Sequence, residues 1–138
     1  MSYAGDLNPT EAWKLLNQDQ SAQLVDVRTR PEWMFVGLPD LTSLGRRAVL
    51  QSWQVFPAME VDDNFVAELA QQLPDMEAPI LFICRSGGRS RAAAAALTAA
   101  GYRRCNNVAE GFEGNPDPER HRGKTGGWKA AGLPWVQD

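Results

Sequence analysis

The sequence predicts one α/β domain over residues 1–138, a mostly parallel central sheet of about five strands with helices on both faces. Three observations lead there. Short, almost wholly apolar runs such as QLVDV and PILFIC read as strands buried on both faces. These runs alternate with capped segments of helical period, which implies parallel crossovers. A length of 138 residues is that of one domain with a full core.

Asn8 caps the first helix, with Pro9 at its first position and Glu11 completing a capping box. Gln23–Val27 is the first strand. Thr29 and Glu32 form a second capping box, opening a short helix through Trp33 and Phe35. After a loop rich in Gly, Pro and Asp, Ala48–Trp53 is a further strand candidate. Asp62 or Asp63 is expected to cap the next helix, where Phe65, Val66, Leu69 and Leu73 recur at helical spacing until Pro74 ends it. Ile80–Cys84 is the most apolar strand, and an alanine-rich helix follows, with Gly101 as its left-handed stop. Cys105–Ala109 is a weaker strand, and Trp128–Ala131 a short last turn.

Composition narrows the function classes. Hydrophobic residues make up 43% and charged residues 22%, values foreign to coiled coils, collagens and disordered chains. The net charge of −3 argues against nucleic acid as a partner. No apolar run approaches the roughly 20 residues of a membrane span, so no membrane is expected as partner either. The amino-terminal residues lack a secretory pattern, and a cytoplasmic protein is expected. Two Cys and one His are too few for a disulfide framework or a structural zinc site, so no metal is expected. What remains is a reactive thiol.

The informative stretch is Cys84-Arg85-Ser86-Gly87-Gly88-Arg89-Ser90, which joins the most apolar strand to the alanine-rich helix. Ligands of open α/β sheets bind at the carboxyl ends of strands, where Cys84 stands. Paired glycines let backbone N–H groups turn inward, and the helix adds its own unpaired N–H groups and positive dipole end. Arg85, Arg89 and Arg91 add formal charge. Such a cradle holds an anion, and helix N-termini and cations bring thiol pKa values from about 8.5 to roughly 3.5–7.5. A nucleotide P-loop is excluded by the missing Gly-Lys-Ser/Thr, and a Ser-His-Asp triad has only His121 to draw on.

CRSGGRS after an apolar strand resembles the active-site loop of the rhodanese (sulfurtransferase) superfamily. DVRTRPEW at Asp26–Trp33, LTAAGYRRCNNVAEGF and AGLPW at Ala131–Trp135 resemble further elements of the same family, over most of the chain. The resemblance implies a single-domain rhodanese in which Cys84 is the sulfur-carrying nucleophile and Arg85, Ser86, Gly87, Gly88, Arg89 and Ser90 bind substrate. Asp26 and Arg28 would brace the loop. The partners implied are a small anionic sulfur donor, thiosulfate or a persulfide, and an acceptor such as cyanide or a protein thiol, with no cofactor. Two departures stand out. A Gly-His-Ile…Gly-Ala element is replaced by Gly37-Leu38-Pro39-Asp40-Leu41, and Asn115–Gly127 is an additional segment expected near the active site.

Four residues separate Cys84 from Arg89, whereas the related loops of phosphatases and arsenate reductases have five. The tighter ring suits a persulfide sulfur better than a tetrahedral oxyanion. A cysteine phosphatase or arsenate reductase, and a non-catalytic module of the same fold, are the alternatives. Cys105, at the opposite end of the sheet, is expected to be structural.

Overall fold

The computed structural model describes residues 2–137. The first half runs β1 (Gly5–Leu7), α1 (Pro9–Gln18), β2 (Gln23–Asp26), α2 (Arg30–Phe35), β3 (Leu38–Pro39) and β4 (Val49–Leu50). The second runs β5 (Gln54–Val55), β6 (Glu60–Val61), α3 (Phe65–Gln72), β7 (Ile80–Ile83), α4 (Gly88–Ala99), β8 (Cys105–Val108) and β9 (Trp135–Val136). Five strands form one fully parallel sheet in the order β1-β8-β7-β2-β4. The α/β architecture expected from the alternating apolar runs is present. No helix among the described residues is long and apolar enough to cross a membrane.

Side-chain alternation along the strands divides the core in two. Leu24, Leu81, Ile83 and Val108 pack on one face with Ala12 and Leu16 of α1, Phe112 and Trp128. Val25, Phe82, Cys84 and Cys105 pack on the other with Phe65 and Leu69 of α3 and Ala93, Ala94 and Leu97 of α4. The α1 capping box forms as expected: Asn8 Oδ1 accepts from the Glu11 N–H at 2.8 Å, and Glu11 from the Asn8 N–H at 2.9 Å. Arg46 closes the other end of α1, donating to the Leu16 and Ala22 carbonyls.

Four differences from the sequence reading have local causes. β1 carries no apolar run, and it exists because Gly5–Leu7 pairs in register with Asn106–Val108. Only Val49–Leu50 of the expected Ala48–Trp53 strand joins the ladder, although the Gln51 and Trp53 N–H groups still reach the Asp26 and Val27 carbonyls. The α3 cap is Asn64, not Asp62 or Asp63, and it makes no side-chain cap bond. Asp62 instead spends its carboxylate on the Asn64 N–H at 2.9 Å, a turn that sets the helix entry. Finally, β3 pairs antiparallel with β9, so the Gly37–Leu41 segment is stitched to the carboxyl-terminal AGLPW.

Candidate active site

Cys84 follows the last residue of β7, and α4 begins four residues later. The connecting turn is possible because Gly87 adopts φ +114°, which L side chains rarely reach. A Cβ at Gly87 would also collide with the Ala109 carbonyl. In this conformation the Gly87 N–H points at Cys84 Sγ, 3.1 Å away. Ser90, in the first turn of α4, brings its hydroxyl to 3.2 Å from the same sulfur. Cys84 itself is 1% exposed.

The outer side of the loop is clamped by the turn after β8. The Phe112 N–H donates to the Cys84 carbonyl at 2.7 Å and the Glu113 N–H to the Arg85 carbonyl at 3.0 Å. This approach requires Gly111, at φ +68°, where a Cβ would lie 2.5 Å from the Arg85 oxygen. Arg28 braces the turn from beneath. It is fully buried, donates to the equally buried Asp26 and to the Gly37 carbonyl, and lays its guanidinium 4.3 Å from the Phe112 ring centroid.

The two arginines of the loop differ in role. Arg85 is exposed, whereas Arg89 gives both terminal nitrogens to the Glu32 carboxylate at 2.7 and 2.9 Å. Glu32 also accepts from the Thr29 N–H and hydroxyl, so one carboxylate ties the start of α2 to the start of α4. Burial opposes its ionisation, but the bonds and charge of Arg89 and the Thr29 bonds prevail, holding Glu32 at a pKa of about 2. The Arg89 pKa is raised, chiefly by bonding to Glu32, with the Cys84 charge contributing.

Of the seven loop residues singled out in the sequence, the Gly87 N–H and the Ser90 hydroxyl converge on Cys84 Sγ. Gly88 opens α4 and is exposed, and Ser86 is half-buried. Two participants were not legible as site residues: Glu32, seen only as a cap, and Asn107. Asn107 is fully buried on β8, with Oδ1 2.5 Å from Ser90 Oγ. An amide at a buried strand position, amid the CNNVA run, was the available signal. Asn115–Gly127 folds back on the clamping turn: Gly123 N–H donates to the Glu113 carbonyl at 2.6 Å, and Arg122 to that of Gly114 at 2.6 Å.

Known proteins resemble this chain to different depths. A family model described as the STR4 middle domain matches residues 5–138. An uncharacterised protein of Rickettsia rickettsii is 40% identical over 91% of this chain and 92% of its own. Rhodanese-like domain-containing protein 4, chloroplastic, of Arabidopsis thaliana is 28% identical over 91% of this chain, a stretch amounting to 24% of that protein. The crystal structure of Rv0390 from M. tuberculosis superposes with a TM-score of 0.92 at 50% identity, covering 99% of this chain and 100% of that one. The polysulfide-sulfur transferase homodimer of Wolinella succinogenes shares the fold, at a TM-score of 0.63 and 23% identity over 96% of this chain and 78% of its own. The chain therefore belongs to the rhodanese-like family, through the branch represented by the STR4 middle domain.

Proposed function

We propose that this chain is a sulfurtransferase that carries sulfane sulfur as a persulfide on Cys84. The observation that carries the reading is the Gly87 N–H aimed at Cys84 Sγ from 3.1 Å, with the Ser90 hydroxyl 3.2 Å from the same sulfur, at a strand's carboxyl end and a helix's amino end. Donors fixed in a buried site stabilise developing negative charge without reorganising. The Cys84 thiolate attacks the sulfane sulfur of thiosulfate, a new S–S bond forms, and sulfite leaves with the electron pair of the broken bond. The persulfide's outer sulfur then passes to cyanide or a thiol, and the electron pair of its bond returns to Cys84 as thiolate.

The exposed Arg85 attracts the anionic donor, and Arg89, neutralised by Glu32, holds the loop in shape. Ser86, Gly87, Gly88 and Ser90 line the cradle. At 1% exposure, Cys84 favours a slender donor over a bulky phosphoester. Mass spectrometry after thiosulfate treatment tests the reading. One added sulfur on the Cys84 peptide, removed by cyanide, is expected. An unmodified Cys84 together with hydrolysis of aryl phosphates would overturn it.

A further inference from the structure

The Ser90 hydroxyl has one proton and three acceptors around it: Asn107 Oδ1 at 2.5 Å, Cys84 Sγ at 3.2 Å and the Gly87 carbonyl at 3.2 Å. Which acceptor receives the proton depends on how the Asn107 amide is turned. Asp6, the neighbour of Asn107 in the sheet register, settles that. Its carboxylate lies 3.1 Å from Asn107 Nδ2 and also accepts from the Tyr3 hydroxyl at 2.8 Å. An ionised carboxylate only accepts, so Nδ2 must face Asp6 and Oδ1 must face Ser90. Hydrogen bonds thus run from the exposed Asp6 through Asn107 to Ser90, whose hydroxyl oxygen stands 3.2 Å from the buried sulfur with its proton turned to Asn107.

We propose that Asn107, oriented by Asp6, is a positioning residue that competes with the Cys84 thiolate for the Ser90 proton. The proposal rests on the reading of Cys84 as the nucleophile. In the thiolate, Ser90 can donate to sulfur only by leaving a fully buried amide oxygen without a partner. In the persulfide the charge has moved to the outer sulfur, and Ser90 stays bonded to Asn107 at no loss. The chain therefore favours the loaded state over the resting thiolate, and does so through the identity of one buried amide.

Other charged groups stand on the elements around Cys84: Arg85 in the loop, Arg89 on α4 with Glu32 on α2, Asp26 at the end of β2 with Arg28 just after it, and Glu113 on the clamping turn. The hydrogen bonds of Asn107 and Ser90 run to Asp6 and to none of these. The test is the pH profile of Cys84 alkylation by iodoacetamide, followed by peptide mass, in the 138-residue chain. Asp6→Ala frees the amide to turn, so that Nδ2 donates to Ser90 and the hydroxyl proton goes to sulfur. The midpoint of the profile should fall by about half to one pH unit, as for one hydrogen bond gained by the charged form. Asn107→Ala should shift it the same way, and the exposed Asp6 carries the test if the buried substitution prevents folding. In a Ser90→Ala background the Asp6→Ala shift should vanish, and in wild-type background it should persist in high salt, where a through-space charge effect is screened. An unchanged midpoint, or an equal shift without Ser90, overturns the proposal. Failure of the sulfurtransferase reading would show separately, as absence of the persulfide in a protein whose alkylation profile is still measurable.

Discussion

Cys84 and Cys105 belong to the same buried layer between the sheet and helices α3 and α4, at 1% and 0% exposure. Cys105 stands opposite Ile80 at the amino end of β7, and Cys84 follows its carboxyl end. Four residues of strand put them roughly 13 Å apart, well beyond a disulfide. Burial is therefore the same for both, and their surroundings are not. Around Cys105 burial dominates, with Thr98 offsetting it only in part, and the thiol is pushed up to about 11. At Cys84 a backbone N–H points at the sulfur and a hydroxyl lies 3.2 Å from it, in a loop closed by glycines, with Arg89 nearby. Exposure therefore does not distinguish the two thiols. The polar groups around each sulfur do.

The strongest way to break this comparison is to exchange the two thiols for hydroxyls. Cys84→Ser should reduce sulfur transfer to background, because a hydroxyl is a poor nucleophile at neutral pH and forms no persulfide. Cys105→Ser should leave turnover within a few-fold. Thiosulfate:cyanide assays on both variants, with circular dichroism to show that each is folded, decide the matter. A fatal Cys105→Ser would assign the chemistry to the wrong end of the sheet.

The two ends also differ in how far the sequence revealed them. The cradle was legible because its parts are contiguous: an apolar strand, Cys84, two glycines and the first turn of a helix lie within eleven residues, Ile80–Ser90. The same holds for the Asn8 and Thr29 caps, where partner and cap are three residues apart. What surrounds the cradle is long-range. Arg89 and Glu32 are 57 residues apart, and Asn107 and Asp6 are 101 apart. Leu38 of β3 pairs with Val136 of β9, far along the chain. A residue whose partner lies that far away carries no local period or spacing. Glu32 could be read only as the cap it also is, and β1 carried no strand signal of its own.

Glu32→Gln sharpens the comparison, because it loosens the Cys84 end alone. The Glu32 carboxyl falls from an ordinary 4.5 to about 2 in the folded protein. A depressed carboxyl stabilises the fold above its unfolded value, and that contribution is lost as pH falls from about 4.5 to 2. The ion pair is less than one-quarter exposed, with side chains at 18% and 20%. Part of the stabilisation comes from Thr29, which Gln can still engage, so Glu32→Gln should cost about 2 kcal/mol at pH 7. Denaturant unfolding at pH 7 and pH 2.5 should show that deficit shrinking in acid. Alkylation should change at Cys84 and stay constant at Cys105. A deficit equal at both pH values would mean that the pair contributes packing and not charge.

The smallest expected effect concerns the segment leaning on the Cys84 end. Asn115–Gly127 bonds to the turn that clamps the loop, through Gly123 N–H to Glu113 and Gly127 N–H to the Glu110 carboxylate at 2.8 Å. Arg122 is committed to the Gly114 carbonyl, whereas Arg120 and Lys124 are exposed. On the proposed reading the donor is an anion, and exposed cations on a flanking segment act on its capture more than on the chemical step. Arg120→Gln with Lys124→Gln should therefore raise the KM for thiosulfate by about two- to five-fold at low salt, as expected of two solvated charges, with kcat little changed. The rise should fade at an ionic strength where the screening length is about 3 Å. Arg122 is left in place because removing it would disturb the turn itself. A KM that does not move at low salt would make the segment a solvated flank of the fold, and would leave Arg85 as the cation that draws in the donor.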